Sequence, residues 1–150
     1  MTLTESPPLT ELYMQDETAW LEAMSKLAAE RRFAEMDLPH LSEYLNDMAI
    51  RDRRAVFNRL AKLLAHLLKR QFQPEKATGS WDATILEQRR RLRQLLGSGT
   101  LYNHAESVLA ECFDAARKEA AAETRLPRST FPTECPWDLE TILRDEDDQE

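Results

Sequence analysis

Residues 39–72 read PHLSEYLNDMAIRDRRAVFNRLAKLLAHLLKRQF. Within them Leu41, Leu45, Met48, Val56, Leu60, Leu63, Leu64 and Leu67 step by three or four, and Asp52 is the polar residue that interrupts the series. That spacing returns to one face of a helix with 3.6 residues per turn. Asp37-Leu38-Pro39 supplies the start. An aspartate accepts hydrogen bonds from the free amides of a first turn, and proline fits there because its missing N–H has no partner to lose. Pro74 supplies the stop. Unbroken, such a helix runs about 50 Å at 1.5 Å per residue. That is longer than one small core covers, so the helix is expected to kink or to project.

The flanking segments read as helices too. Upstream, the first dozen residues, with Pro7-Pro8, look like a loose arm, and Asp16 or Thr18 caps a helix whose Trp20, Met24, Leu27 and Ala28 share a face. Downstream, Glu75 to Gly79 reads as a loop and Ser80 as the cap of a third helix, with Trp81, Ile85, Gln88, Leu92, Leu95 and Leu96 on one stripe. Gly97-Ser98-Gly99 suits a left-handed C-cap, and Thr100 a new N-cap. The fourth helix carries Leu101, Ala105, Val108, Leu109, Cys112, Phe113, Ala116 and Ala120, small enough in places to let helices approach closely. Pro127, Pro132 and Pro136 then enforce an extended passage anchored by Phe131 and Trp137. A short last helix follows from Trp137 to Arg144, and 145–150 reads as a solvated acidic tail. The expected fold is all-α: one helical bundle of four main helices, one of them long, with a Pro-rich C-terminal segment and a short last helix.

Composition excludes several classes. At 150 residues the chain can bury a core without a disulfide or metal staple, and 3 glycines leave no room for a Gly-rich phosphate loop. No charge-free stretch is long enough to span a bilayer. The start lacks the pattern of a secretory signal. Cys112 and Cys135 are too few and too far apart for a zinc cluster or disulfide framework, which suits reduced thiols in the cytoplasm. His40, His66 and His104 are widely separated, so no metal site, cofactor or catalytic residue is expected.

Charge is segregated. Residues 1–50 sum to -7, residues 51–100 to +8 and residues 101–150 to -8, giving -7 in total. The basic middle either packs against the acidic ends or faces a polyanion. Its arginines Arg51, Arg53, Arg54, Arg59, Arg89, Arg90, Arg91 and Arg93 are the candidate nucleic-acid contacts, since guanidinium forks suit phosphate and carboxylate alike. The competing reading pairs the later ones with Glu87, Glu106, Glu111, Glu119 and Glu123. His66, Lys69 and Gln73 fall on one side of the long helix, where a histidine beside lysines either binds or protonates an anion or only bonds a neighbouring side chain or carbonyl. Gln88, on an apolar stripe, needs a partner. A bond to His66 or to a carboxylate such as Glu123 would supply one. Cys135, between prolines and without a basic neighbour, reads as filler rather than nucleophile.

Several of these stretches together resemble a known family. They are His66-Leu67-Leu68-Lys69, Gln73-Pro74-Glu75, Ser80-Trp81, Thr84-Ile85, Gln88-Arg89-Arg90-Arg91-Leu92 and Ala116-Arg117. Glu123-Thr124, Leu126-Pro127, Phe131-Pro132 and Cys135-Pro136-Trp137 complete the set, with Trp20-Leu21 and Asp37-Leu38 earlier. In this order they resemble the bacterial "domain of unknown function 29" family over residues 13–144, with 1–12 and 145–150 as flexible ends. The chain departs from that pattern at Arg70, where an aromatic is usual, and at Arg125, where a glycine usually follows Glu-Thr. The resemblance implies an all-helical cytoplasmic bacterial protein and no particular activity. It marks His66, Gln73, Trp81, Gln88, Arg89, Arg117 and Glu123 as an internal polar network that either holds a small anion or only specifies packing.

Three functions remain. The leading expectation is a non-enzymatic module that binds itself or another protein, because an overlong amphipathic stripe needs a partner. The second is nucleic-acid association through the arginines. The third is a metabolite or enzymatic site around His66, Gln88 and Arg89. No membrane partner is expected.

Overall fold

A computed structural model describes residues 7–144. The helices are α1 (Leu9–Gln15), α2 (Glu17–Ala29), α3 (Leu38–Phe72), α4 (Gly79–Leu95), α5 (Gly99–Thr124) and α6 (Leu139–Leu143). Single 3-10 turns lie at Phe33–Glu35, Pro74–Lys76 and Arg128–Thr130, and there is no strand among the described residues. The class is all-α, and the decisive stretch forms one uninterrupted helix of 35 residues. Contacts gather into two compact units, Met1–Ala49 and Ile50–Glu150, and the division falls inside α3. A helix that exceeds one core thus contributes to two.

The first unit is built on an aromatic cluster. Trp20 is wholly buried and Met24 nearly so. The Trp20 ring meets Tyr13 edge-on with centroids 4.8 Å apart and lies 5.9 Å from Tyr44. Asp16 starts α2 as expected, its carboxylate accepting from Ala19 N–H at 3.1 Å. Helix α1 begins at Leu9, inside the stretch read as a loose arm; residues 1–6 and 145–150, the outer parts of the expected flexible ends, lie outside the described residues. Asp37 carries two tasks at once. Its Oδ1 accepts from the His40 N–H at 3.4 Å as α3 begins, while its Oδ2 accepts from Trp20 Nε1–H at 3.1 Å and from His40 Nδ1–H at 2.7 Å. Burial alone would raise the Asp37 carboxyl, but the bonds from His40 and Trp20 outweigh it and hold it below the ordinary aspartate value. The His40 ring stacks on Tyr13 with centroids 4.3 Å apart.

The second unit holds the main core. Val56, Leu60, Leu63, Leu64 and Leu68 of α3 pack with Ile85 and Leu92 of α4, with Ala105, Cys112, Phe113, Ala116 and Ala120 of α5, and with Leu139 and Ile142 of α6. Each fully buried leucine contributes roughly 1.5–3 kcal/mol. The small residues of α5 are buried, as their spacing predicts. Cys112 Sγ reaches the Phe57 carbonyl at 3.6 Å, and burial pushes its thiol up to about 12, which makes it inert filler. Phe131 is buried and meets Phe72 edge-on at 5.3 Å, so it anchors the Pro-rich passage as expected.

The helix ends differ from expectation by about two residues. Helix α4 starts after Thr78 rather than Ser80, and α5 after Ser98, whose Oγ accepts from Leu101 N–H at 3.4 Å, rather than Thr100. Helix α6 starts after Asp138, which accepts from Thr141 N–H at 2.8 Å. Each end offers several cap-forming residues in a row; Ser98 caps with its side chain, whereas Thr78 makes no side-chain cap bond. No glycine takes the left-handed conformation expected near Gly97; among the described residues the positive φ angles belong to Arg31 (57°) and Arg125 (61°).

Candidate functional site

Two features stand out against this frame: an apolar edge on α3 and a polar pocket at its C-terminal end. The apolar seam of α3 is buried from Val56 through Leu68. Earlier on the same seam, Leu38 is 55% and Leu45 58% exposed, while Leu41 and Met48 are half-buried. The periodicity that builds the core therefore continues onto an open edge. Ser42, Ala49 and Asp52, which share that side of the helix, are also exposed.

At the other end of α3, Lys69 is 4% exposed. A buried ammonium is costly unless paired. Its Nζ makes an ion pair with Glu123 of α5 and stands 5.1 Å from the centroid of the Trp81 ring of α4. The Lys69 hydrogen bond holds the Glu123 carboxyl below the usual glutamate value. Lys69, Glu123 and Trp81 line a pocket of about 430 Å³ together with Gln73, Lys76, Thr124 and Arg125. Helix α5 ends here because Arg125 turns left-handed, and Thr124 Oγ1 donates to the Ala120 carbonyl at 2.6 Å while accepting from Leu126 N–H at 3.3 Å. His66 lies one turn before Lys69, and its Nδ1–H donates to the Lys62 carbonyl at 3.0 Å. Burial lowers its pKa below the ordinary value, and the Lys69 charge adds to that.

The seven residues marked as one polar network go to several places. Gln73, Trp81 and Glu123 line the pocket, and His66 lies close enough to feel both Lys69 and Glu123. Gln88 is 6% exposed, which confirms the phase of its stripe, and its Oε1 accepts from Arg59 Nη1 at 3.2 Å. The expected partners are engaged elsewhere: Glu123 by Lys69, and the His66 Nδ1–H by a backbone carbonyl. Arg89 is buried and donates to the Ile142 carbonyl at 2.9 Å, which ties α4 to α6. Arg117 donates to the Arg128 carbonyl at 3.1 Å and fixes the turn after α5.

Set against these positions, the chain belongs to the DUF29 family. The model of that family, a domain of unknown function, matches residues 12–147. No curated protein and no solved structure matches the chain.

Among the arginines offered for nucleic acid, Arg51, Arg53, Arg54 and Arg90 are exposed. Arg89 is removed from that set by its burial, and Arg59 is half-buried on Gln88. Arg91 pairs with Glu87 at 3.0 Å, as the intramolecular reading expects. Among the described residues there is no group of His, Cys, Asp and Glu arranged to hold a metal, and no helix long and apolar enough to cross a membrane. Sequence reasoning placed Lys69 beside His66 but missed Lys76 and Arg125 as its pocket neighbours. One lies in a 3-10 turn and the other at a helix C-cap, where no periodicity speaks.

Proposed function

We propose that this DUF29 chain is a non-enzymatic self-association module, in which the first part of α3 packs antiparallel against the same segment of a second copy. The observation that carries this reading is the continuation of the core seam onto exposed Leu38 and Leu45, with Leu41 and Met48 beside them. Open apolar rows of this kind mark contact surfaces. Charge favours a second copy as the occupant. Residues 38–50 of the helix carry Glu43 and Asp47 with no lysine or arginine, whereas residues 51–62 carry Arg51, Arg53, Arg54, Arg59 and Lys62 against the single acid Asp52. An antiparallel two-fold contact centred near Met48 lays the acidic stretch of each copy along the basic stretch of the other, as an isologous interface requires. Free Cys112 and Cys135 support a cytoplasmic setting.

The test is a thiol cross-link. Ala49→Cys, near the centre of the contact, is expected to give a covalent dimer with a short bifunctional reagent, and Ala83→Cys on the exposed face of α4 is not. Equal cross-linking of both variants, or of neither, contradicts the proposal. Exposed Arg51, Arg53 and Arg54 favour a second reading, nucleic-acid association. That reading demands binding that weakens steeply as salt rises, because phosphate contacts release counterions.

A further inference from the structure

The pocket at the C-terminal end of α3 holds a polar group that the fold leaves unsatisfied. Gln73 is 8% exposed and lines the cavity, and its side-chain amide has no hydrogen-bond partner among the described residues. The amide faces the pocket without a protein partner, so its hydrogen bonds go to whatever enters there, and a group that both donates and accepts suits it. The charges call for an entering group too. Among the lining residues Lys69, Lys76 and Arg125 face one carboxylate, Glu123, an excess of two positive charges on the wall, while the Glu119 carboxylate stands beside Glu123 outside the lining. A monocarboxylate neutralises half of that excess. A phosphate monoester, carrying about -1.5 to -2 at neutral pH, neutralises nearly all of it.

Size completes the argument. At about 430 Å³ the cavity falls within the range that holds small organic ligands. A free phosphate ion leaves most of it empty. The remaining wall, Gln73, Thr124 and Trp81, offers an amide that both donates and accepts, a hydroxyl and an indole. These suit the hydroxyl-bearing body of a sugar-sized molecule.

We propose that this pocket binds a small phosphate ester. Its phosphoryl oxygens are held by Lys76 and Arg125 at the mouth beside Lys69, and its hydroxyl-bearing body lies on the Gln73 amide. This site is independent of the α3 docking edge, and neither needs the other.

The experiment is a nuclear magnetic resonance titration of the full chain with ribose 5-phosphate, inorganic phosphate, ribose and gluconate, following the Trp81 indole and Gln73 side-chain amide signals. The ester is expected to move both signals saturably, and to bind at least about tenfold more tightly than inorganic phosphate or gluconate, a difference of about 1.4 kcal/mol. Ribose is expected to leave both signals in place. Lys76→Ala with Arg125→Ala, both exposed and so compatible with folding, is expected to weaken the ester by about tenfold or more. Gln73→Met is expected to erase the preference of the ester over inorganic phosphate. Binding of gluconate as tight as that of the ester overturns the phosphate assignment. Equal affinity for ester and free phosphate overturns the role of Gln73, and no saturable shift with any probe overturns the site.

Discussion

Replacing Asp37 with alanine tests whether one carboxylate organises the first unit. The Asp37 side chain is nearly buried and serves the Trp20 indole, the His40 ring and the His40 backbone N–H together. Its removal strands the indole N–H of a wholly buried tryptophan, at a cost of about 1–3 kcal/mol. It also removes the side-chain cap at the start of α3, worth about 1 kcal/mol. The expected loss is therefore about 2–4 kcal/mol, confined to peptides within residues 9–49. Hydrogen exchange read by mass spectrometry measures it as a fall in protection of about 30-fold or more, while peptides from the Val56–Leu68 core keep theirs. Asp37→Asn retains one acceptor oxygen and is expected to lose roughly half as much. Because the Asp37 carboxyl sits below its ordinary value when folded, its contribution is present above the unfolded aspartate value of about 3.9. That contribution is lost as pH falls through the lower folded value. Protection unchanged within about a factor of five, or lost equally in both units, means that Asp37 does not organise the first unit.

Three further outcomes follow from the geometry. Arg125→Gly is expected to raise stability in urea denaturation by about 1 kcal/mol, because Arg125 ends α5 at φ 61° and glycine takes that conformation without the Cβ penalty; unchanged or lower stability contradicts the strained cap. At the buried pair, Glu123→Ala strands the Lys69 ammonium and is expected to cost about 2–3 kcal/mol, whereas Lys69→Met leaves a half-exposed carboxylate in water and costs less than about 1 kcal/mol. The reverse order in thermal melting refutes the assignment of the buried charge to Lys69. Burial depresses the His66 pKa, so its contribution to stability is complete above the unfolded value of about 6.5 and falls as pH drops toward the lower folded one. His66→Gln is expected to flatten the stability profile over that window, and an unaltered profile contradicts the burial.

The helices were legible because their cores repeat. Leucines at three-and-four spacing specify α3 whatever they pack against, and Gln88 was correctly placed inside by the stripe it interrupts. Helix ends were less legible, since Thr78-Gly79-Ser80 and Ser98-Gly99-Thr100 each offer more than one cap-forming residue and local pattern does not rank them. Asp37 could be read as a cap, but its bond to Trp20 exists only because α2 returns to that point. The pocket was half legible for the same reason. Lys69 and Gln73 share a helix face, whereas Lys76 and Arg125 join them from a turn and from the end of α5. No local pattern relates such positions, and the exposure of Leu45 is likewise invisible to a periodicity that treats it as one more core leucine.

Docking of a second copy on the first part of α3 makes the assembly depend on concentration and on Leu45. Static light scattering over a dilution series, on the unmodified chain and on Leu45→Arg, tests it most directly. The unmodified chain is expected to show twice the 17.4 kDa chain mass at high concentration, and the variant a monomer at every concentration, with helix content unchanged. A monomer throughout for the unmodified chain, or a dimer that Leu45→Arg leaves intact, would contradict it.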